Sequence, residues 1–170
     1  MPRVLVIGRF TEDLPAEWSS AKRIWDEARV FFGAHGLDES ESHALATTAS
    51  ELVENAIKYG DWARAPHEPI SVLLDASPRA ATVEVESPAV DNPVLLRQLD
   101  DRIQWIRGFQ SPFEAYVERL KQLASLGYAD GVSGLGLIRI AYEARCLLDF
   151  YVTPSRQLAM SAVYQPDGFY

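Results

Sequence analysis

Glu51 and Asn55, in the segment ELVENAIKYG of residues 51–60, are two side chains that could do chemistry together. They are four residues apart, so on a helix both point the same way. An ionised glutamate can orient or deprotonate a hydroxyl group, and an asparagine oxygen can ligate Mg²⁺ held against phosphates. The same spacing occurs on an ordinary solvated helix face, so both interpretations stay open at this point.

A second candidate is the glycine-rich segment GVSGLGLI, residues 131–138, which leads straight into an apolar pattern. Glycines let backbone N–H groups approach an anion closely, and a helix that begins there adds the positive end of its dipole. The segment therefore predicts a phosphate-binding turn. A tight turn packed under a helix explains the same glycines, so this interpretation also stays open.

The first half of the chain predicts one strand and two long helices. Residues 3–8 form a short β-branched run that ends in glycine, which is typical of a strand. Apolar residues recur at helical spacing over 16–32 and again over 40–59. Gly60 follows the second pattern, where we expect a left-handed C-terminal cap. The candidate carboxylate and amide are thereby placed on the second helix, beside its apolar stripe.

The second half predicts three further helices and two hairpins. One helix is expected to begin at Asn92-Pro93, another at the capping box SPFE that starts with Ser111, and a short one after the glycine-rich segment. The two hairpins pair 70–74 with 81–86 and 146–153 with 157–164. Strands that are mostly hairpin neighbours, with amphipathic helices between them, predict an α+β two-layer sandwich. We expect a mostly antiparallel, mixed sheet with helices covering one face.

Composition limits the classes of function. The 170 residues carry 16 basic and 24 acidic side chains, a formal charge of −8, which is the wrong sign for binding a phosphate backbone. One cysteine, Cys146, gives no disulfide framework and fits a reducing cytoplasm. No apolar run of about 18 residues occurs, so neither a membrane span nor a secretory signal is expected. Without a polar linker, residues 1–170 are predicted to form a single domain.

Together, in this order and about 75 residues apart, the two segments resemble the N-box and the second glycine box of the GHKL (Bergerat-fold) ATPases. The resemblance implies that Glu51 activates the nucleophile and that Asn55 is the Mg²⁺ ligand. It also implies a lid over the nucleotide, at 92–130. The residues that the resemblance assigns to binding Mg²⁺ and ATP are Asn55, Lys58, Gly131, Ser133, Gly134, Leu135 and Gly136.

The short format, together with FEAYVERL at 113–120 and IAYE at 140–143, looks like single-domain anti-sigma factor serine kinases. That resemblance implies Mg²⁺-ATP-dependent phosphorylation of a STAS-domain partner in bacterial signalling, and a possible homodimer. The acidic net charge and the lack of a long apolar run make neither nucleic acid nor a membrane an expected partner. The apolar stripes of the lid need cover, either from the domain itself or from another chain; their residues are Leu95, Leu99, Ile103, Ile106, Phe113, Tyr116, Leu120, Leu123 and Ala124.

One segment departs from the family pattern. These ATPases have an Asp-x-Gly-x-Gly box, whose aspartate accepts the adenine amino group, where this chain reads ESPAVDNP at 86–93. Ser87 stands at the aspartate position, Asp91 is a displaced candidate for the adenine contact, and Pro88 lacks a backbone donor. Two functions therefore remain open: a protein kinase of this type, or a degenerate scaffold that binds nucleotide weakly or not at all and regulates by sequestering a protein.

Overall fold

The computed structural model describes residues 2–89, 93–109, 111–126 and 135–168. In these ranges the strands and helices follow one another in the order that the sequence predicts. The elements are β1 (Gly8–Leu14), α1 (Trp18–Ala34), α2 (Glu39–Tyr59), β2 (Ile70–Ser77), β3 (Ala80–Pro88), α3 (Pro93–Arg107), α4 (Pro112–Leu126), α5 (Leu135–Tyr142), β4 (Leu147–Val152) and β5 (Gln157–Tyr164).

The strands form one five-stranded sheet in the order β1-β2-β3-β5-β4. Every strand pair in the described residues is antiparallel, so the prediction of a mixed sheet is wrong in that respect. The reason is connectivity. Two of the pairs are direct hairpins, and the pair β1–β2 is reached through two helices that return the chain in the opposite direction. The predicted α+β two-layer sandwich is otherwise confirmed.

The side chains of β2 and β3 alternate between a helix-covered face and an open face. Ile70, Val72 and Leu74 on β2, with Val83 and Val85 on β3, are buried in one core cluster with residues of α1 and α2. Residues between them, which point to the opposite face, are only half-buried. This period-2 burial fixes the register because a slip of one residue would expose the core side chains.

The first strand begins later than predicted. Residues 3–7 precede β1, and Val4, Val6 and Ile7 are exposed. Their backbone divides its bonds between two places, because the Leu5 N–H donates to the Pro78 carbonyl and the Val6 N–H donates to the His35 carbonyl. Because these two N–H groups donate to different parts of the chain, residues 3–7 form no continuous hydrogen-bond ladder with one strand. The strand therefore starts at Gly8, where pairing with β2 begins.

Helix α2, which positions the candidate site, has a well-defined start. The Asp38 carboxylate accepts from the Glu41 N–H and the Glu41 carboxylate accepts from the Asp38 N–H, both at 2.8 Å, which completes a capping box. Leu45, Leu52 and Val53 then lie fully buried along one side. Packing of this stripe, and not helix propensity alone, holds the 21-residue helix in place.

The predicted left-handed cap at Gly60 is wrong, since Gly60 is extended at φ −66° and ψ 151°. The indole N–H of Trp62 donates to the carbonyls of Ala56 and Ile57, both at 3.1 Å, and the Gly60 N–H also donates to the Ala56 carbonyl, at 2.9 Å. Together these bonds satisfy the helix end. The same ring explains why glycine is needed. A Cβ at position 60 would lie 2.8 Å from Trp62 ring atoms and 2.7 Å from the Ala56 carbonyl oxygen.

The two lid helices α3 and α4 begin at Pro93 and Pro112, as predicted. Ile103 and Ile106 on α3 and Ala115 on α4 are buried in the main core cluster, so the domain itself covers that part of the stripes. Phe113 and Leu120 stay exposed. The side chains of Leu123 and Ala124 lie outside the described part of the structure.

Candidate functional site

Glu51 and Asn55 lie on α2 at the edge of its buried stripe, both half-buried. Leu52 and Val53 anchor the helix to the core next to Glu51, and Ala56 does so next to Asn55. The two polar side chains therefore share one rim of the helix, as the spacing predicts.

The N-terminus of α5 meets this rim. Helix α5 begins at Leu135, and a Cβ built on Gly136 would lie 3.1 Å from Oε2 of Glu51. A side chain at position 136 would require the Glu51 carboxylate to shift by a few tenths of an ångström, so glycine leaves room for this close approach. The fold thus brings the described end of the glycine-rich segment, at Gly136, next to Glu51.

The sequence analysis missed Arg139 as part of this site. Its guanidinium Nη1 lies 3.8 Å from Oε1 of Glu51, and its Nε lies 3.5 Å from Oε2 of Glu143. Arg139 comes three residues after Gly136, so the helical period alone places both on neighbouring turns of one side of α5. That spacing could have indicated the basic residue, but its carboxylate partner on α2 is visible only in the fold.

Burial dominates the electrostatics of Glu51. Desolvation raises the pKa of Glu51 above its ordinary value, and the nearby Glu54 carboxylate acts in the same direction. Arg139 and Lys58 oppose this pKa shift without cancelling it. A carboxylate whose pKa is moved towards neutrality is better suited to accept a proton than an exposed one.

The other predicted residues fall into two groups. Lys58 is exposed, with its ammonium 6.0 Å from the centre of the Trp18 ring, and Ser87 is buried near the end of β3, away from the N-terminus of α5 in the chain. Leu135 is the first residue of α5, so its backbone stands at the helix start. The remaining predicted residues, which lie outside the described part of the structure, are Asp91, Gly131, Ser133 and Gly134.

Backbone hydrogen bonds tie down the end of β3, where the GHKL ATPases that the sequence resembles have their aspartate. The Pro88 carbonyl accepts from the Asp61 N–H, and the Ala89 N–H donates to the Arg156 carbonyl, each at 2.9 Å. The Arg64 guanidinium also donates to the Ala89 carbonyl at 2.9 Å. Ser87, the residue at the aspartate position, brings a hydroxyl group and no negative charge to this place.

A groove of about 250 Å³ runs between α2 and the C-terminal part of α5 and ends at Glu51. Trp25 of α1 supports its α2 side, since the indole N–H donates to the Thr47 hydroxyl at 3.2 Å and the ring meets His43 edge-on, with centroids 5.1 Å apart. The residues that line the groove are Ser40, His43, Ala44, Thr47, Thr48, Glu51, Arg139, Ile140, Glu143 and Ala144.

The described residues fit a nucleotide with Mg²⁺ at the N-terminal end of α5. Helix α5 begins beside Glu51, and the N-terminus of a helix is a place where an anion such as a phosphate binds. Asn55 stands one turn after Glu51 on the same rim of α2 and brings an amide oxygen, which is a ligand that Mg²⁺ accepts. Mg²⁺ commonly takes one or two protein oxygens and completes its shell with water and phosphates. In the same ranges no group of three or more His, Cys, Asp or Glu side chains could hold a metal by itself.

Comparison with known proteins gives one kind of match. No protein-family model and no curated protein matches the sequence. Among solved structures, the chain is similar to one in the crystal structure of the SiaB–SiaC complex from Pseudomonas aeruginosa, with a TM-score of 0.62 and 16% sequence identity. The match covers 95% of this chain and 90% of that chain, so the likeness extends over the whole fold. Within the described residues, no helix has the length and apolar character that crossing a membrane requires.

Proposed function

We propose that the chain is a GHKL-type regulatory kinase that transfers the γ-phosphate of Mg²⁺-ATP to a serine or threonine hydroxyl of a protein partner. The observation that carries the proposal is the contact between Glu51 and Gly136. It sets a carboxylate with a raised pKa beside a helix start suited to phosphate. The fold likeness to a chain from a complex of two proteins, SiaB and SiaC, supports a protein as the partner.

Each described part of the candidate site has a task in this proposal. Glu51 accepts the proton of the attacking hydroxyl, and the backbone at the start of α5 holds the phosphates. Asn55 ligates Mg²⁺, which, when bound, neutralises charge on the phosphates. A STAS-domain protein is the partner that the sequence resemblance favours, and signalling by partner switching is the process.

Calorimetric titration of the full chain with ATP, with and without Mg²⁺, tests the nucleotide half of the proposal. We expect saturable binding that Mg²⁺ strengthens. An absence of binding heat at millimolar ATP, together with no binding of labelled ATP in equilibrium dialysis, would contradict the proposal.

The second candidate function is a degenerate scaffold that regulates by sequestering a protein. The end of β3 favours it, because Ser87 provides no carboxylate for the adenine amino group and the Pro88 and Ala89 backbone is already hydrogen-bonded. A hydrogen bond to a charged group contributes on the order of 1.5–3 kcal/mol, so its loss would weaken the binding of ATP roughly ten- to hundredfold. The same titration separates the two functions.

A further inference from the structure

Resting on the kinase function proposed above, we propose that the groove between α2 and α5 is the docking site for the acceptor segment of the partner protein. The segment would lie along α2 from Ser40 towards Glu51, with its serine or threonine hydroxyl at the Glu51 end. The proposal adds a binding surface on the side of Glu51 opposite to the proposed nucleotide position.

The placement of Glu51 is the first argument. One oxygen of its carboxylate faces Gly136 at the start of α5, and the other faces Arg139 inside the groove. The carboxylate therefore stands between the proposed phosphate position and the groove. A hydroxyl that enters along the groove would reach the Glu51 carboxylate from the side opposite to the proposed phosphate position, and an in-line displacement would place the leaving group beyond that phosphate.

The chemical step balances with these groups alone. The acceptor oxygen forms a bond to the γ-phosphorus while the bond between that phosphorus and the β–γ bridging oxygen breaks. ADP leaves with that electron pair, and the hydroxyl proton passes to the Glu51 carboxylate. No oxidant or further reactant is required.

The length of the groove is the second argument. Ser40 and Glu51 are eleven residues apart on one helix, which corresponds to about 16 Å along its axis. An extended chain rises about 3.3 Å per residue, so roughly five residues fit between the two ends. The α2 wall presents hydroxyl groups and an imidazole at helical spacing, Ser40, His43 and Thr47, and these can bond to the backbone of such a segment.

Charge is the third argument and specifies the partner. Arg139 is shared between the carboxylates of Glu51 and Glu143, so the lining residues carry two carboxylates for one guanidinium. Counting only these three charged side chains, the groove has a net charge of about −1 near pH 7. A lysine or arginine close to the acceptor hydroxyl would pair with Glu143 and complete the charge balance. The occupant is therefore a protein segment that carries a hydroxyl residue and a basic residue within about five positions.

The test uses the full chain and two variants that fill the groove. Ala44→Arg places a long side chain on the α2 wall, and Ser40→Trp blocks the open end from an exposed position that does not contact the core. Ala34→Arg is the matched control. It introduces the same residue at an exposed position of α1, nine residues after Trp25 and so on the opposite side of that helix. Melting temperatures confirm that each variant is folded.

The acceptor is obtained by labelling an extract of the source organism with γ-³²P-ATP and the wild-type chain, then purifying the labelled protein for kinetics. We expect both groove variants to slow transfer to this protein by on the order of tenfold or more, with ATP affinity within about twofold of the wild type. The control Ala34→Arg is expected to transfer at the wild-type rate.

Glu143→Gln tests the charge argument separately. Because an exposed ion pair contributes about 0.2–1 kcal/mol, we expect the KM for the acceptor protein to rise roughly two- to fivefold with kcat unchanged. An unchanged KM would overturn the requirement for a basic residue in the partner.

The remaining outcomes distinguish the groove from the kinase function. If the groove variants transfer phosphate at the wild-type rate, the docking site is wrong and the kinase function stands. If they lose ATP binding in parallel with transfer, the groove belongs to the nucleotide site and the inference also fails. If the wild-type chain labels no protein although it binds ATP, both proposals fail together.

Discussion

At the scale of single residues, Glu51 combines a cost in stability with a proposed use in chemistry. Its carboxylate is half-buried, its pKa is raised mainly by desolvation, and its nearest cation, Arg139, is shared with Glu143. A side chain selected only for stability would be neutral here. A carboxylate whose charged form is destabilised by its surroundings in this way is typical of a functional site.

In the proposed mechanism the Glu51 carboxylate acts on the acceptor hydroxyl and not on the nucleotide, so Glu51→Gln is expected to retain ATP binding and to lose phosphate transfer. Removal of a general base slows the chemical step by about 10² to 10⁴-fold. Transfer by the wild type should rise with pH through the raised pKa of Glu51, and the variant should lack this dependence. Transfer at the wild-type rate in the variant would contradict the assignment.

The same variant carries a stability prediction with a definite sign. Because the folded-state pKa of Glu51 lies above the ordinary 4.5, the folded state binds this proton more tightly than the unfolded state does. Wild-type stability therefore falls as pH rises from about 4.5 through the folded-state pKa. Urea unfolding should show Glu51→Gln to be more stable than the wild type at pH 7, with the difference vanishing below about pH 4.5. A difference that does not change with pH would refute this.

Asn55→Ala is expected to weaken ATP binding only when Mg²⁺ is present, since the lost group is the proposed metal ligand. The side chain is at the rim of α2 and not in the core, so the free energy of unfolding should change by less than about 1 kcal/mol. Calorimetric titration of each protein with ATP, once with Mg²⁺ and once with EDTA, measures how much Mg²⁺ strengthens its ATP affinity. Equal Mg²⁺-ATP affinity in the variant and the wild type would exclude the role.

At the scale of elements, a pair of half-buried carboxyl groups joins β1 to α1. Glu12 lies on the helix-covered face of β1, forms an ion pair with Arg23, and faces Glu27 on the same helix. Oε2 of both glutamates is buried without a hydrogen-bond partner among the described residues. Desolvation, and then the contact with Glu27, raise the pKa of Glu12 to about 7. A proton held at this junction thus favours the packing of α1 on the sheet.

Glu12→Gln should therefore stabilise the domain at alkaline pH. The charged Glu12 is tolerated poorly in the folded state, so wild-type stability is expected to fall as pH rises from about 4.5 to about 7. The gain in the variant should be largest at pH 8 and absent near pH 4, measured by urea unfolding. Glu39→Gln, at an exposed position of α2, is the control. A loss of stability in Glu12→Gln at pH 8 would show that the ion pair with Arg23 outweighs desolvation.

The lid helices are tied to the domain by α3 more than by the exposed side of α4. Ile103 is only 2% exposed, whereas Leu120 is 41% exposed. Ile103→Ala is expected to lower the free energy of unfolding by about 2–5 kcal/mol, and Leu120→Ala by less than about 1 kcal/mol. Denaturant unfolding of both variants measures this. Similar costs for the two would mean that the lid does not share the main core.

At the scale of the whole molecule, nucleotide binding must appear as stability, because a ligand that binds only the folded state shifts the unfolding equilibrium. With Mg²⁺-ATP at a hundredfold excess over Kd, the expected gain is about 2.7 kcal/mol. For a domain of this size that corresponds to roughly 5–10 °C in melting temperature. Thermal unfolding with ATP, and with GTP as the control, measures it. An unchanged melting temperature at 10 mM ATP would favour the protein-sequestering scaffold.

The sequence by itself determined what depends on near neighbours in the chain. Capping residues and apolar periodicity are local, so they placed α2, the starts of α3 and α4, and both hairpins within a few residues. The same locality put Glu51 and Asn55 on one rim of a helix. Residues 3–7 were misassigned because their β-branched pattern is local, whereas the hydrogen bonds that decide their structure come from Pro78 and His35.

Tertiary structure alone decided the relations between distant segments. The sheet order, the contact of Gly136 with Glu51 and the pairing of Glu51 with Arg139 each join residues that are far apart in the chain. The end of α2 shows the same limit, since the Trp62 indole satisfies the carbonyls that Gly60 was expected to cap. Such contacts depend on how buried faces pack against each other, and a local pattern states which face is apolar but not which surface will cover it.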